Sequence, residues 1–203
     1  MFQPNESKLP VVSMSKFSIL YFATMGWYAL FWFYQCWSAV RDARQKRMFP
    51  ILRSLFAVFF VHELFRYLRS KEDPNNLYPW NPNKNAWLFI IVGFLGVALT
   101  FAATEVGLGA IAHLMIFVVL LFAQFYVLYR VQLVINRINN DPFGKTNVKL
   151  TFENNLWIAF GFYLWFSNVY TAYLDATGQL TMPETNQEKR VDKLDAPENS
   201  ELL

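Results

Sequence analysis

Four long stretches of the chain are predominantly apolar and contain no Asp, Glu, Lys or Arg. They comprise residues 17–40, 87–104, 106–129 and 154–174, which are 24, 18, 24 and 21 residues long. A helix needs about 20 predominantly apolar residues to cross the hydrocarbon core of a bilayer, and a charge near its centre is costly. Since backbone groups in lipid must pair within their own segment, runs of this length favour helices over strands. The pattern predicts an all-α integral membrane bundle with four transmembrane helices.

A fifth apolar stretch, residues 48–68, is interrupted by ionisable side chains at four positions. These positions are Arg53, His62, Glu63 and Arg66. The charge-free part of this stretch covers only the eight residues 54–61. Eight residues are too few for a lipid-facing span, so this stretch is predicted to form a re-entrant or interfacial helix that is half inserted in the membrane. A fifth transmembrane helix is the alternative.

Lys and Arg are distributed unevenly between the two sides of a four-span bundle. The loops 41–86 and 130–153 hold 13 of the 18 Lys and Arg residues, and the N-terminal and C-terminal segments hold the other five. Loops on the cytoplasmic side of a membrane are rich in Lys and Arg. Four spans therefore predict that both termini lie outside the cytoplasm. Five spans would remove most of this asymmetry, which favours the four-span topology.

The composition agrees with a membrane protein and excludes several classes of site. Charged residues make up 16% of the chain, against about 25% in ordinary soluble domains. This deficit argues against a nucleic-acid-binding protein. A single cysteine excludes a disulfide framework within the chain and a Cys-rich metal site, and the presence of two histidines argues against a multi-His metal centre. We therefore expect no metal and no cofactor.

The sequence divides into a helical membrane domain, residues 1–175, and a tail, residues 176–203. From Asp175 to the C-terminus the chain has seven acidic and three basic residues and no aromatic residue, which predicts an acidic disordered tail. Apolar residues at helical spacing in 130–139 predict that the third span continues as an amphipathic helix along the membrane surface. Gly93, Gly96 and Ala98 give the second span a small-residue face suited to close helix packing.

The ionisable residues of the stretch 48–68 form the main candidate site. In a helix, Glu63 and Arg66 are three residues apart and His62 and Arg66 are four apart, so their side chains can meet. Ionisable residues at membrane depth are candidates for function. Three interpretations remain open: a proton or ion relay, a site for an anionic lipid headgroup that uses Arg53 and Arg66, and an ion-pair cluster at the interface.

Glu105 and His113 form a second candidate, because they flank the short turn between the second and third spans. They could pair with each other or respond to pH. The sequence His62-Glu63 does not extend to a zinc-protease motif, since Arg66 stands where that motif has its second histidine. No nucleophile pattern and no glycine-rich phosphate loop are present, so we predict that the protein is not an enzyme.

The first span is dense in aromatic residues, and together with later motifs it resembles a known family. Residues 24–34 read TMGWYALFWFY, followed by Trp37, and the chain continues with Pro50, Arg53 and Phe56. The last span carries Gly161 and Trp165. These features resemble a family of small, uncharacterised bacterial membrane proteins. The resemblance implies a helical fold in the bacterial inner membrane, with the termini then in the periplasm, and it implies no activity.

These observations lead to three hypotheses of function. The first is a non-enzymatic membrane protein that acts as an accessory or scaffold of an envelope complex, or as an immunity factor against a membrane-acting toxin. Its partners would be membrane lipids and a membrane protein or a second copy of the chain, and no nucleic acid. The second is a small transporter or channel subunit that uses His62, Glu63 and Arg66. The third and weakest is a lipid-modifying enzyme.

Overall fold

The structure is a computed structural model that describes residues 9–75 and 78–179. The described part is all-helical and contains no strand, which confirms the predicted fold class at this level. Its α-helices are α1 (Met14–Ala23), α2 (Tyr28–Arg44), α3 (Pro50–Leu55), α4 (Ala57–Arg69), α5 (Pro82–Glu105), α6 (Ala110–Ile138) and α7 (Phe152–Ala176). The predicted tail lies outside the described residues from residue 180 onward.

Polar residues just ahead of three helices cap their first turns. The Ser13 hydroxyl accepts a hydrogen bond from the backbone N–H of Lys16, and Asn81 caps α5 in the same way ahead of Pro82. Thr151 and Asn154 form a capping box at the start of α7. Such caps satisfy backbone N–H groups that have no partner within the helix. They explain why α5 and α7 begin a few residues before their apolar cores.

Two helices of the described part, α5 and α6, are long and apolar enough to cross a membrane. Their 24 and 29 residues correspond to about 36 and 43 Å. Helix α5 contains the predicted span 87–104, and α6 contains most of 106–129 together with the predicted extension 130–138. Large apolar side chains on the outer faces of α5, α7 and the first half of α6 are exposed.

The segment 17–40, predicted as one transmembrane helix, instead forms two helices joined by a tight turn. The ring of Phe17 in α1 lies 5.9 Å from that of Tyr28 and 6.2 Å from that of Trp32 in α2. One straight helix would separate residues 17 and 32 by about 22 Å. The turn places Met25 and Gly26 at positive φ, 52° and 85°. Helices α1 and α2 therefore form a hairpin and do not cross the bundle.

The segment 48–68 also contains two helices, α3 and α4, which meet at Phe56. The guanidinium of Arg44, at the end of α2, lies 4.7 Å from the ring centre of Tyr67 near the end of α4. The chain therefore leaves α4 at the same end of the bundle at which α2 ends. Helices α3 and α4 thus form a second hairpin.

Successive helices run in alternating directions, and this gives the bundle two unlike ends. At one end, which we call the basic end, α2 and α6 finish and α5 begins. Arg130 of α6 donates a hydrogen bond to the Pro79 carbonyl just ahead of α5. At the opposite end α5 finishes, α6 begins and α7 finishes, where Asp175 accepts a hydrogen bond from the backbone N–H of Ala110. Both hairpins rise from the basic end and turn near the middle of α6.

The core lies in the half of the bundle nearer the basic end. It contains the aromatic side chains of the first hairpin, which are at most 2% exposed. These include Phe17, Tyr21, Tyr28, Trp32, Phe33 and Trp37. The last part of α6 is also buried, with Val131, Gln132 and Asn136 fully inaccessible. The predicted amphipathic extension is thus part of the core and does not lie along a membrane surface, because α1 and α2 cover it.

Candidate functional site

The predicted cluster on residues 48–68 is assembled only in part. Glu63 of α4 forms two ion pairs, with Arg53 of α3 at 2.6 Å and with Arg44 of α2 at 3.0 Å. One carboxylate therefore links the two helices of the second hairpin, α3 and α4, to α2. Arg44 was expected only as a loop residue, and no sequence spacing relates it to Glu63. The two hairpins bring them together.

Aromatic rings complete the surroundings of Arg53. Its guanidinium lies 4.4 Å from the ring centre of Trp37 and 4.8 Å from that of Phe60. Cation–π contacts of this kind stabilise a desolvated arginine. The Glu63 side chain remains 36% exposed, so the ion pairs lie at the edge of the core and are partly screened. The arrangement holds the second hairpin against α2.

His62 and Arg66 do not join this cluster. The His62 ring packs edge-on against Trp87 of α5, with 5.1 Å between ring centres. Arg66 is exposed, and its Nε donates only a long hydrogen bond of 3.4 Å to the His62 carbonyl. The side chains required for a relay along α4 are therefore directed to different neighbours.

The second candidate pair, Glu105 and His113, is not formed. The two His113 ring nitrogens lie 3.2 Å from the Thr104 hydroxyl and 3.1 Å from the Gly109 carbonyl. Asp175 is the acidic side chain that stabilises this end, since it caps the first turn of α6 at 2.6 Å. A carboxylate at a helix N-terminus is favoured by the helix dipole.

A large apolar groove lies between the turns of the two hairpins, α5 and α6. Its volume is about 880 Å³, and its floor on α5 runs from Phe89 to Thr104. No described Asp, Glu, Lys or Arg residue lines it. An added Cβ at Gly93 would meet no atom within 4 Å, and one at Gly96 would touch only Leu120 at 3.4 Å. Two residues of the predicted small-residue face of α5, Gly93 and Gly96, therefore border open space along this groove.

Among the well-covered polar groups of the groove are two that form no hydrogen bond with a described residue. The Oε1 atom of Gln124 is buried and unpaired. Tyr21 is 2% exposed and lines the groove, and its hydroxyl forms no hydrogen bond with a described residue. A mostly apolar pocket with a few converging polar groups is the usual form of a ligand site.

A buried polar network clamps the extended segment before α1 to the end of α6. The Asn136 side chain accepts a hydrogen bond from the N–H of Val12 at 3.2 Å and donates one to its carbonyl at 2.8 Å. Gln132 donates to the Pro10 carbonyl at 3.0 Å and accepts from the indole N–H of Trp32. The sequence analysis missed this network, whose only local signal is two amides four residues apart in an apolar helix.

The loop after α6 supports the same segment. The Thr146 backbone N–H and hydroxyl donate to Asp141 at 2.9 and 2.8 Å, and these bonds hold the pKa of Asp141 below its usual range. Within this loop, Asn147 accepts a hydrogen bond from the Lys16 ammonium at 2.7 Å. The loop is thereby tied to the start of α1.

Helix α7 closely contacts the turn of the first hairpin. The Trp165 indole N–H donates to the Phe22 carbonyl at 2.8 Å. A Cβ at Gly161 would lie 2.5 Å from the Ala23 carbonyl carbon and 2.8 Å from the Thr24 Cα, and would overlap the Ala23 carbonyl oxygen. Both α7 residues belong to the motifs on which the family resemblance is based. Here their physical role is to let a helix pack directly on the backbone of the turn.

The described residues contain no group of three or more His, Cys, Asp or Glu side chains that could hold a metal ion. Comparison of the chain with models of protein families, with curated proteins and with solved structures finds no match. The resemblance to small bacterial inner-membrane proteins therefore stays a prediction based on sequence motifs.

Proposed function

We propose that this chain is a non-enzymatic protein of the bacterial inner membrane that binds another membrane protein, as an accessory, scaffold or immunity-type partner. In this proposal α5, α6 and α7 cross the bilayer, and the two hairpins enter it from one side without crossing it. The apolar outer faces of the three long helices support a lipid environment, because soluble monomers rarely expose large contiguous apolar surfaces.

The distribution of basic residues supports one orientation of this bundle. All 14 Lys and Arg residues of the described part lie in the half nearer the basic end, while Glu105 and Asp175 lie at the other end. The positive-inside rule then assigns the basic end to the cytoplasm. The start of α1 is at this end, so residues 9–13 are proposed to be cytoplasmic, in place of the periplasmic N-terminus expected from four spans. The C-terminal tail keeps its periplasmic assignment.

Reporter fusions test this orientation. We expect a green fluorescent protein at the N-terminus to fluoresce and alkaline phosphatase fused after residue 75 to be inactive, because both reporters would lie in the cytoplasm. Alkaline phosphatase fused after residue 190 should be active. An active phosphatase at residue 75, or a dark N-terminal reporter in a well-expressed fusion, would contradict the topology.

The observation that carries the proposed interaction is an exposed apolar surface on the second hairpin, which we call the docking arm. Its six large side chains are 50–75% exposed. They are Phe49, Ile51, Leu52, Leu55, Phe56 and Phe59. The opposite side of α3 packs on α2, and the ion pairs of Glu63 hold the arm in place. A rigid apolar surface of this size suits an apolar helix of a partner.

Transport receives less support than interaction. The rings of Phe17, Trp32 and Trp37 are fully buried and fill the interior of the first hairpin. Glu63 is paired with two arginines at the edge of the core, and His62 packs against a tryptophan. No step of a relay can be assigned to this arrangement.

Photo-crosslinking in cells tests the docking arm. Benzoylphenylalanine at Phe49 or Phe59, which are 75% and 74% exposed, should yield a discrete protein adduct, because the partner would cover both rings. The change Glu63→Gln should lower the adduct yield about fivefold. This factor corresponds to about 1 kcal/mol, the free energy lost with the ion pairs that position the arm.

Two matched controls accompany this experiment. Phe162 and Phe166 on α7 are 67% and 70% exposed, so the same probe there should contact mainly lipid and give no discrete protein adduct. Asp42→Asn removes an exposed carboxylate that pairs only with its neighbour Arg41 and should leave the yield unchanged. Equal adducts at α7 and the arm, or none at the arm, would refute the proposed interaction.

A further inference from the structure

We infer that the groove between the hairpin turns, α5 and α6 binds an uncharged long-chain alcohol from the bilayer. This inference goes beyond the proposed function: the groove shares Leu55 and Phe56 with the docking arm, but the two crosslinking sites of the arm, Phe49 and Phe59, do not line it. It is based on the charge, the hydrogen-bonding groups and the dimensions of the groove.

The charge of the groove selects against ordinary phospholipids and fatty acids. None of its lining residues is acidic or basic. The nearest arginine along α3, Arg53, is occupied by Glu63 and two aromatic rings. A phosphate or carboxylate placed near the hairpin turns would therefore be desolvated without a counter-charge, which is strongly unfavourable.

The unpaired polar groups select for a hydroxyl. The Tyr21 O–H can donate to a ligand oxygen, and Gln124 Oε1 can accept from a ligand O–H. An alcohol group carries both the oxygen that can accept from Tyr21 and the O–H that can donate to Gln124. A pure hydrocarbon would leave both protein groups unpaired, at the cost of buried polar groups without partners.

The dimensions of the groove favour a single hydrocarbon chain of a lipid over an α-helix of a partner protein. The floor of the groove from Phe89 to Thr104 corresponds to about 22 Å along α5. Toward the basic end the groove is closed, because α4 packs on α5 where the His62 and Trp87 rings meet. A spanning helix would need a track of about 30 Å. Val97 and Phe101 at the rim are 71% and 66% exposed, so the groove opens sideways into the bilayer.

Binding of three C20 probes to the full-length protein in lipid nanodiscs tests the inference. The probes are geranylgeraniol, geranylgeranyl monophosphate and the hydrocarbon phytane. Geranylgeraniol should bind saturably with one molecule per chain. The phosphate and the hydrocarbon should each bind at least about tenfold more weakly, because one lacks a counter-charge and the other lacks hydrogen bonds.

Four variants test whether the alcohol binds in this groove. Tyr21→Phe and Gln124→Leu should each weaken geranylgeraniol binding about five- to tenfold, as expected for one hydrogen bond in an apolar site. Neither change should weaken phytane binding, because a hydrocarbon makes no hydrogen bond with these side chains. Gly93→Leu should abolish geranylgeraniol binding by filling space that is open in the structure. Ala98→Leu also places a leucine at an exposed position of α5, but outside the groove, and should bind like the unmodified chain. Thermal unfolding of each variant reports whether the fold is retained.

Several outcomes would overturn the inference. They are equal binding of geranylgeraniol and phytane, tighter binding of the phosphate, unchanged binding in folded Gly93→Leu, and no saturable binding of any probe. A discrete protein adduct from benzoylphenylalanine at Val97 would assign the groove to a helix instead. Crosslinking at Phe49 and Phe59 tests the docking arm, and probe binding tests the groove. A negative result in one experiment therefore refutes only the proposal that it tests.

Discussion

Gly161→Ala is expected to destabilise the protein by about 3 kcal/mol or more, at the upper end of the range for overpacked sites. The added methyl group would overlap the carbonyl oxygen of Ala23 and lie 2.5 Å from its carbonyl carbon. The neighbour is backbone at a turn with two consecutive residues at positive φ, Met25 and Gly26, so it has little freedom to move. Helix α7 would have to separate from the first hairpin. The midpoint of thermal unfolding in detergent should fall by about 6–12 °C.

Gly93→Ala is the matched control for this prediction. It places the same methyl group on a helical glycine whose added Cβ would meet no atom within 4 Å. Alanine is a better helix former than glycine by about 1 kcal/mol, so this variant should be as stable as the unmodified chain or slightly more stable. Equal effects of the two changes would show that the close contact of α7 with the turn does not determine stability.

Asn136→Ala is expected to cost about 3 kcal/mol, because it leaves both backbone polar groups of Val12 without partners in a buried site. Val12 is 1% exposed, so water cannot replace the lost hydrogen bonds without local opening. The segment before α1 should detach from α6 more often. Trypsin cleavage at Lys16 should accelerate by about tenfold or more, alongside a lower unfolding temperature.

Asn139→Ala, one turn nearer the end of the same helix, is the control. The Asn139 side chain donates only to the Ile135 carbonyl of its own helix, so its loss should cost less than about 1 kcal/mol and leave cleavage unchanged. If Asn136→Ala resembled this control, the amide network would not be what holds the segment before α1 in place.

The long helices could be predicted closely from the sequence. The stretches 87–104 and 106–129 lie almost entirely within α5 and α6, and 154–174 lies within α7. The reason is physical, since a helix that crosses hydrocarbon needs an apolar run of fixed minimum length without charges. Capping residues such as Thr151 then add the few residues by which the helices exceed these runs.

The candidate site could be predicted only in part. Arg53 and Glu63 both belong to the predicted cluster, and they are paired at 2.6 Å. The contacts that helical spacing predicted, Glu63 with Arg66 and His62 with Arg66, do not assemble the cluster, since His62 packs against Trp87 and Arg66 is exposed. Arg44 was missed because it joins the pair only when α2 and α4 end on the same side. The groove was missed for a related reason. Its walls come from two turns and two long helices, and no local sequence pattern shows which of these elements contact each other.

The sequence by itself determined the helical class, the apolar character of α5, α6 and α7, and the concentration of basic residues in one set of loops. Only the tertiary structure decided that 17–40 is a hairpin packed inside the protein. The physical reason is that an apolar run is equally suited to contact with lipid and with other side chains, so hydropathy cannot distinguish them. The reversal at Met25 and Gly26 depends on contacts with Leu121 and Gly161, which are about a hundred residues away or more.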